Sequence, residues 1–314
     1  MRGVKDRLDI LISAKREYLG LSKVKPIHMS RDQAESLRQS LKTDRQWINN
    51  FEELIGLLAP KLNSLTLDEK LAPINIPWWN AGLLFSSRDH YDETAGSLEL
   101  DATISHSYIT QLIRSQKPGE QRGKTISVSN LLITSDDLIV LGYRGGQNLP
   151  DTIMTVPAGS VEYHTGRNPL FESMYAEFAE ELGLRKEDMQ TIELMGKITT
   201  RAFINNPHYT FRSRTRLSFE DVKKVWSESE DQREHKHLVS FPDNPDHMIR
   251  EIRRLSYDIS KANPDKPALT TNENIGKILP QCAAAVLLHY VQREGKEWAR
   301  MAEEKLGGDY KLVR

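Results

Sequence analysis

A single cysteine among 314 residues leaves the chain without any internal disulfide. It lies in the apolar run Cys282-Ala283-Ala284-Ala285-Val286-Leu287-Leu288, which reads as a small buried thiol and suits a reducing, cytoplasmic setting. No apolar run approaches the roughly eighteen residues that a membrane span requires, so no membrane partner is expected. The N-terminal stretch MRGVKDRLDILISAKREYLG alternates charged with apolar residues and reads as an amphipathic helix, not as a signal peptide. Neither sign of charge is in excess: 43 Lys+Arg stand against 44 Asp+Glu, a net charge of -1. That balance removes the broad cationic field on which counterion-release binding depends, so nucleic acid is not an expected partner. Lys15, Arg16, Lys23 and Lys25 form only a local basic group. The chain also lacks a Gly-x-x-x-x-Gly-Lys-Ser/Thr loop and a Gly-x-Gly-x-x-Gly fingerprint, which leaves P-loop NTPases and dinucleotide-binding oxidoreductases unsupported.

What is present divides the chain into three parts: a mainly helical N-terminal region over 1–121, a mixed domain over 122–262 and a helical C-terminal segment over 263–314. Apolar residues at Leu8, Leu11 and Ile12, then at Trp47, Ile48, Phe51, Leu54, Ile55 and Leu58, recur at helical spacing, and a further helical stretch runs from about Ile104 to Ile113. The pair Trp78-Trp79 reads as core or interface. The polar segment from Ser115 to Gly123 reads as a linker.

Beyond it the period becomes strand-like. Lys124 to Thr134, Asp137 to Arg144 and Thr152 to Val156 are rich in Val, Ile and Leu, and further strands are expected at Glu193 to Phe203, His208 to Phe219 and Leu238 to Phe241. Helices are expected over about Asp246 to Ile259 and within Glu273 to Leu306. This alternation points to an α/β or α+β sandwich and not to a helical bundle.

Between the third and fourth of these strands lies a helix with both ends marked. Asn168 suits the N-cap, Pro169 the first helical position and Gly183 the left-handed residue past the end. At helical spacing Leu170, Phe171, Met174, Phe178 and Leu182 share one face, while Glu177, Glu180 and Glu181 gather beside it. Like charges three and four residues apart weaken a helix by roughly a few tenths of a kcal/mol per pair. A bound Mg²⁺ or Mn²⁺ reverses that sign, because hard cations take carboxylate oxygens and complete their shells with water and substrate phosphate. An ordinary solvated acidic face is the competing reading.

The order of elements decides between them. A short strand, the turn Pro157-Ala158-Gly159, the capped helix with Glu177-Phe178-Ala179-Glu180-Glu181, and then Leu182-Gly183-Leu184 together resemble the Nudix box. Gly159, Glu177, Phe178, Glu180, Glu181, Gly183 and Leu184 match its positions. The resemblance implies a Nudix-type α/β/α sandwich, Mg²⁺ or Mn²⁺ as cofactor, and hydrolysis of the diphosphate in a nucleoside diphosphate linked to another group. It implies metal ligation by Glu177, Glu180, Glu181 and the Gly159 carbonyl, proton acceptance by Glu181 or Glu234, a nucleotide-type small-molecule substrate and a homodimer.

Two departures stand beside it. Ala176 occupies the box's arginine position, and the segment between Gly159 and the helix is about three residues longer than the pattern, so its upstream glutamate falls on none of Glu162, Asn168 or Glu172 cleanly. Arg144, Arg167 or Arg201 could replace the missing guanidinium. These departures also support a second reading, a Nudix-fold module that binds a nucleotide without turning it over.

Strand alternation puts Arg212, Arg214 and Arg216 on one face, where with Arg144 they could neutralise a diphosphate; a solvated face is the alternative. Glu234 is preferred over Glu228 and Glu230 as the additional carboxylate. His235, His237 and His208 admit a zinc reading, which the absence of cysteine ligands and of a helical His-x-x-x-His pair disfavours.

Overall fold

The computed structural model describes residues 9–14, 82–92, 97–106, 126–145, 149–161, 169–200, 204–229, 234–261 and 271–307. In the first part of the chain the described residues form a three-stranded sheet of order β1-β3-β2, from β1 (Asp9–Ala14), β2 (Gly82–Asp92) and β3 (Ser97–His106). Here the structure corrects the reading of the N-terminus. Ile10-Leu11-Ile12 belongs to a strand paired in parallel with β3, and the end of β3 takes up Ile104 to His106. A contiguous apolar triplet suits a strand as well as a helix face, and pairing with a distant segment decides which forms. The other helices expected over 1–121, and Trp78-Trp79, lie outside the described residues.

The remaining strands are β4 (Ser127–Ile133), β5 (Leu138–Arg144), β6 (Ile153–Thr155), β7 (Ala158–Ser160), β8 (Met189–Thr200), β9 (Ile204–Thr215) and β10 (His235–Pro242). They build a seven-stranded mixed sheet of order β10-β5-β4-β9-β8, with β6 beside β5 and β7 beside β4. Every residue of β4 is buried, as expected of a central strand covered on both faces. The turn joining β4 to β5 places Asp137 at φ 56, a conformation that aspartate tolerates better than most residues.

Alternate residues of the sheet feed two separate cores, which gives the expected α/β/α sandwich. On one face Val128, Leu132, Val140, Tyr209 and Phe211 pack against α1 (Pro169–Leu182) and α2 (Phe219–Trp226). On the other, Leu131, Ile133, Ile139 and Leu141 pack against α3 (Pro245–Arg254), α4 (Pro280–Glu294) and α5 (Lys296–Lys305). Cys282 is fully buried in this second core, where desolvation pushes its thiol well above the ordinary range.

Capping explains most boundaries. Asn244 accepts a hydrogen bond from the His247 N–H at 2.9 Å and Pro245 begins α3. Gly295, at φ 88, separates α4 from α5, so the C-terminal helical stretch is two helices. The sequence reading runs a strand through to Phe219, whereas β9 stops at Thr215. Ser218 and Asp221 form a capping box that starts α2 instead. Among the described residues, no helix is long and apolar enough to cross a membrane.

Candidate functional site

The sheet opens where the chemistry is expected. β5 pairs with β4 only at Leu132 and Ile133, after which the two strands diverge. The divergence is filled from both sides: β6 pairs with Leu141 to Tyr143 of β5, and β7 pairs with Ser127 to Ser129 of β4. The turn between β6 and β7, carrying Val156 and Pro157, therefore sits in a splayed sheet, anchored by the Asn130 N–H donating to the Pro157 carbonyl at 3.0 Å.

Across this turn lies α1. Its apolar stripe, Leu170, Met174, Phe178 and Leu182, is buried, and Phe171 meets Phe211 edge to face at 4.9 Å. Gly183, at φ 67, ends the helix, and the Gly183 and Leu184 N–H groups donate to the carbonyls of Ala179 and Phe178. The anchored stripe fixes where the carboxylates point.

Glu181 is 4% exposed. One of its oxygens accepts from the Ala158 N–H at 3.2 Å, and the other lies 3.1 Å from His235 Nε2. Glu177, one turn earlier, interacts with Glu181 and rests against Gly159, so closely that a Cβ on that glycine would fall 1.6 Å from its Oε1. Glu234, at the start of β10, completes the group: the ligand atoms of Glu181, Glu234 and His235 all lie within 4.8 Å of one another. Glu180 is exposed, and its charge acts on Glu177.

Such crowding raises the proton affinity of the carboxylates. Burial, then the charge of Glu234, pushes Glu181 up to about 8, against opposing contributions from the Ala158 N–H, Glu177 and Arg144. Burial raises Glu177 well above the carboxylate range, and Glu181, Glu180 and Glu234 add to the effect. A cluster whose negative charge is so unfavourable, made of hard oxygen donors and cradled by a glycine that leaves room for the Glu177 carboxylate, fits a divalent cation.

The residues expected at this site divide clearly. Glu177, Glu181, Glu234 and Gly159 come together, with Glu180 at the rim. Arg144, paired across the sheet with His235, lies close enough for its charge to act on Glu181. Arg212, Arg214 and Arg216 do not join them. Arg212 stands in register with Leu131, on the face packed by α4, and is ion-paired with Glu193. Arg214 bonds to Asp137 at 2.6 Å beside the β4–β5 turn, and Arg216 donates to the Glu187 carbonyl at 2.9 Å. Arg167, Arg201, Glu162, Asn168 and Glu230 lie outside the described residues, and Glu228 follows α2 on the surface.

His235 is the residue whose role at this site sequence reasoning missed. The zinc grouping separates the three histidines: His237 is exposed and stacks on Tyr143 at 4.6 Å, and His208 lies on β9 in register with Ser127. The signal for His235 was its position beside Glu234 at the start of a strand, but its inward direction depends on the irregular pairing between His235 and His237.

No protein-family model matches the chain, and no curated protein is detectably similar to it in sequence. Among solved structures it is similar to DR0079 from Deinococcus radiodurans, at 13% identity and TM-score 0.35 over 56% of this chain and 89% of that one. It is also similar to a NUDIX hydrolase from Nitrosomonas europaea, at 14% identity and TM-score 0.33 over 54% of this chain and 89% of that one. A third is the NUDIX domain of Shewanella oneidensis NrtR in complex with ADP ribose, at 13% identity and TM-score 0.29 over 40% of this chain and 77% of that one. Likenesses this distant leave the functional reading to the site itself.

Proposed function

We propose that the protein is a Nudix-type hydrolase, dependent on Mg²⁺ or Mn²⁺, that cleaves the diphosphate of a nucleoside diphosphate linked to another group. The observation that carries this reading is the pair of half-buried Glu177 and buried Glu181, joined by Glu234 and set against Gly159 in the opening of the sheet. Glu177, Glu180 and Glu181, with the Gly159 carbonyl, would hold the cation. Bound there, it would supply the positive charge that a diphosphate requires and favour ionisation of water. Glu181 or Glu234, whose ligand atoms lie within 4.8 Å of one another, would accept the proton of that water. Arg144 balances the negative charge from the β5 side and is the guanidinium we assign to the substrate or to Glu181 itself.

The test is a screen for metal-dependent hydrolysis of dinucleotides, sugar nucleotides and nucleoside triphosphates, with Glu180→Gln and Glu181→Gln as controls. Product that requires Mg²⁺ or Mn²⁺ and is lost in Glu181→Gln is the expected outcome; no turnover by the parent protein would refute the proposal. One observation favours a binding module instead: among the residues of α1 none is basic, so the helix supplies no cation to orient its own carboxylates. Calorimetry separates the two, since a sensor binds nucleotide equally with and without Mg²⁺ and releases no product.

A further inference from the structure

We infer that His235 is a positioning residue for Glu181, supplying from β10 the orienting group that α1 lacks. The inference rests on the carboxylate site described above. α1 has the sequence PLFESMYAEFAEEL, in which no side chain can donate a charged hydrogen bond to its glutamates. A carboxylate that must ligate a cation in a fixed direction needs partners on its other lone pairs, and such partners set both affinity and geometry. Glu181 has one on each oxygen, the Ala158 N–H and the His235 ring.

The ring is itself tightly placed. Its side chain has no exposed surface, and its Nδ1 edge is turned against Gly142, where an added Cβ would stand 2.4 Å from Nδ1 and 2.5 Å from the adjacent ring carbon. Nδ1 therefore faces the backbone of β5, and Nε2 is the nitrogen turned to the carboxylates. With its proton on Nε2, the ring donates to Glu181, and a nitrogen engaged in that bond does not serve as a metal ligand. Gly142 and His235 thus act as one device: the glycine provides the space, and the ring uses it to hold Glu181 against the turn at Ala158.

The experiment is Mn²⁺ titration of the full chain, read by electron paramagnetic resonance and calorimetry, for the parent, His235→Ala, His235→Gln and Gly142→Ala, each checked for native circular dichroism. The expected result is a loss of about 10- to 100-fold in Mn²⁺ affinity for His235→Ala. Gly142→Ala should show a similar loss, since it displaces the ring without altering its chemistry. His235→Gln, which keeps an N–H within reach and more of the buried volume, should recover to within several-fold of the parent. In turnover, kcat should fall while KM holds. Native-like affinity in a folded His235→Ala would overturn the inference while leaving the metal site intact. Failure of the parent to bind Mn²⁺ would instead remove the carboxylate site, and the inference with it.

Discussion

Replacing Glu181 by glutamine should stabilise the protein in the absence of metal and abolish its stabilisation by metal. Glu181 ionises in the unfolded chain near 4.5 and in the folded protein near 8. Because the folded value is the higher one, its contribution is fully present below about 4.5 and is lost as pH rises toward 8. At pH 7.5 the interval above the unfolded value is 7.5 - 4.5 = 3.0, which at about 1.36 kcal/mol per unit is a loss of about 4 kcal/mol. At pH 5 the same linkage leaves a loss of under about 1 kcal/mol.

Glutamine carries no charge to desolvate, and its carbonyl can still accept from Ala158 or His235. A domain of this size moves by about 2–4 °C per kcal/mol, so even half of the pH 7.5 figure is a rise in Tm of roughly 5 °C. The assay is thermal unfolding of parent and Glu181→Gln at pH 5 and 7.5, each with chelator and with excess Mg²⁺. With chelator, the variant should be the more stable at pH 7.5 and nearly equal to the parent at pH 5. With Mg²⁺ the parent alone should gain, because binding to the folded state adds stability by mass action. A Glu181→Gln protein destabilised equally at both pH values would refute the reasoning, since the carboxylate would then be acting as an ordinary hydrogen-bonding group.

Gly159→Ala should leave the unfolding free energy within about 1 kcal/mol of the parent yet weaken Mg²⁺ binding, because the new methyl displaces the flexible end of Glu177 and not backbone; calorimetry reads this directly, and unchanged affinity would show that Glu177 does not need its present place. On the opposite face, Asp243 accepts from Arg293 at 2.8 Å and pairs with His289 Nε2 at 3.2 Å. Burial alone would raise its carboxyl, but the His289 hydrogen bond and the Arg293 charge hold it down to about 2. The stability this gives is present above about 3.8 and lost as pH falls toward 2. Asp243→Asn should therefore cost about 2 kcal/mol in urea unfolding at pH 7 and leave Mg²⁺ affinity unchanged; a loss of metal binding would contradict the separation of the two faces.

The helix that carries the carboxylates was legible because its instructions are local. Pro169 and Gly183 mark its ends, and the spacing of Leu170, Met174, Phe178 and Leu182 states which face is buried. The same holds for the strands of the central sheet, whose apolar runs coincide with β4, β5 and β6. The start of α2 was equally local, in Ser218 and Asp221, and strand-like residues before it obscured the cap. The arginine row shows where local reading stops. A period of two puts Arg212 and Arg214 on one face but does not say which helix covers that face; the parallel register of β9 with β4 decides it, and places them under α4 and beside the β4–β5 turn, away from Glu177.

By itself, then, the sequence determined the carboxylates, because glutamates at a four-residue interval lie on one side of any helix. It also determined that their helix buries the adjoining stripe. Only the tertiary structure decided what surrounds them. His235 lies 54 positions from Glu181 along the chain, and Ala158 lies 23 away. Strand pairing at β10–β5 and β4–β7 brings these residues to opposite sides of one carboxylate. Burial of that carboxylate, which no composition or period reports, is what lifts its proton affinity from that of an ordinary glutamate to a value near neutrality.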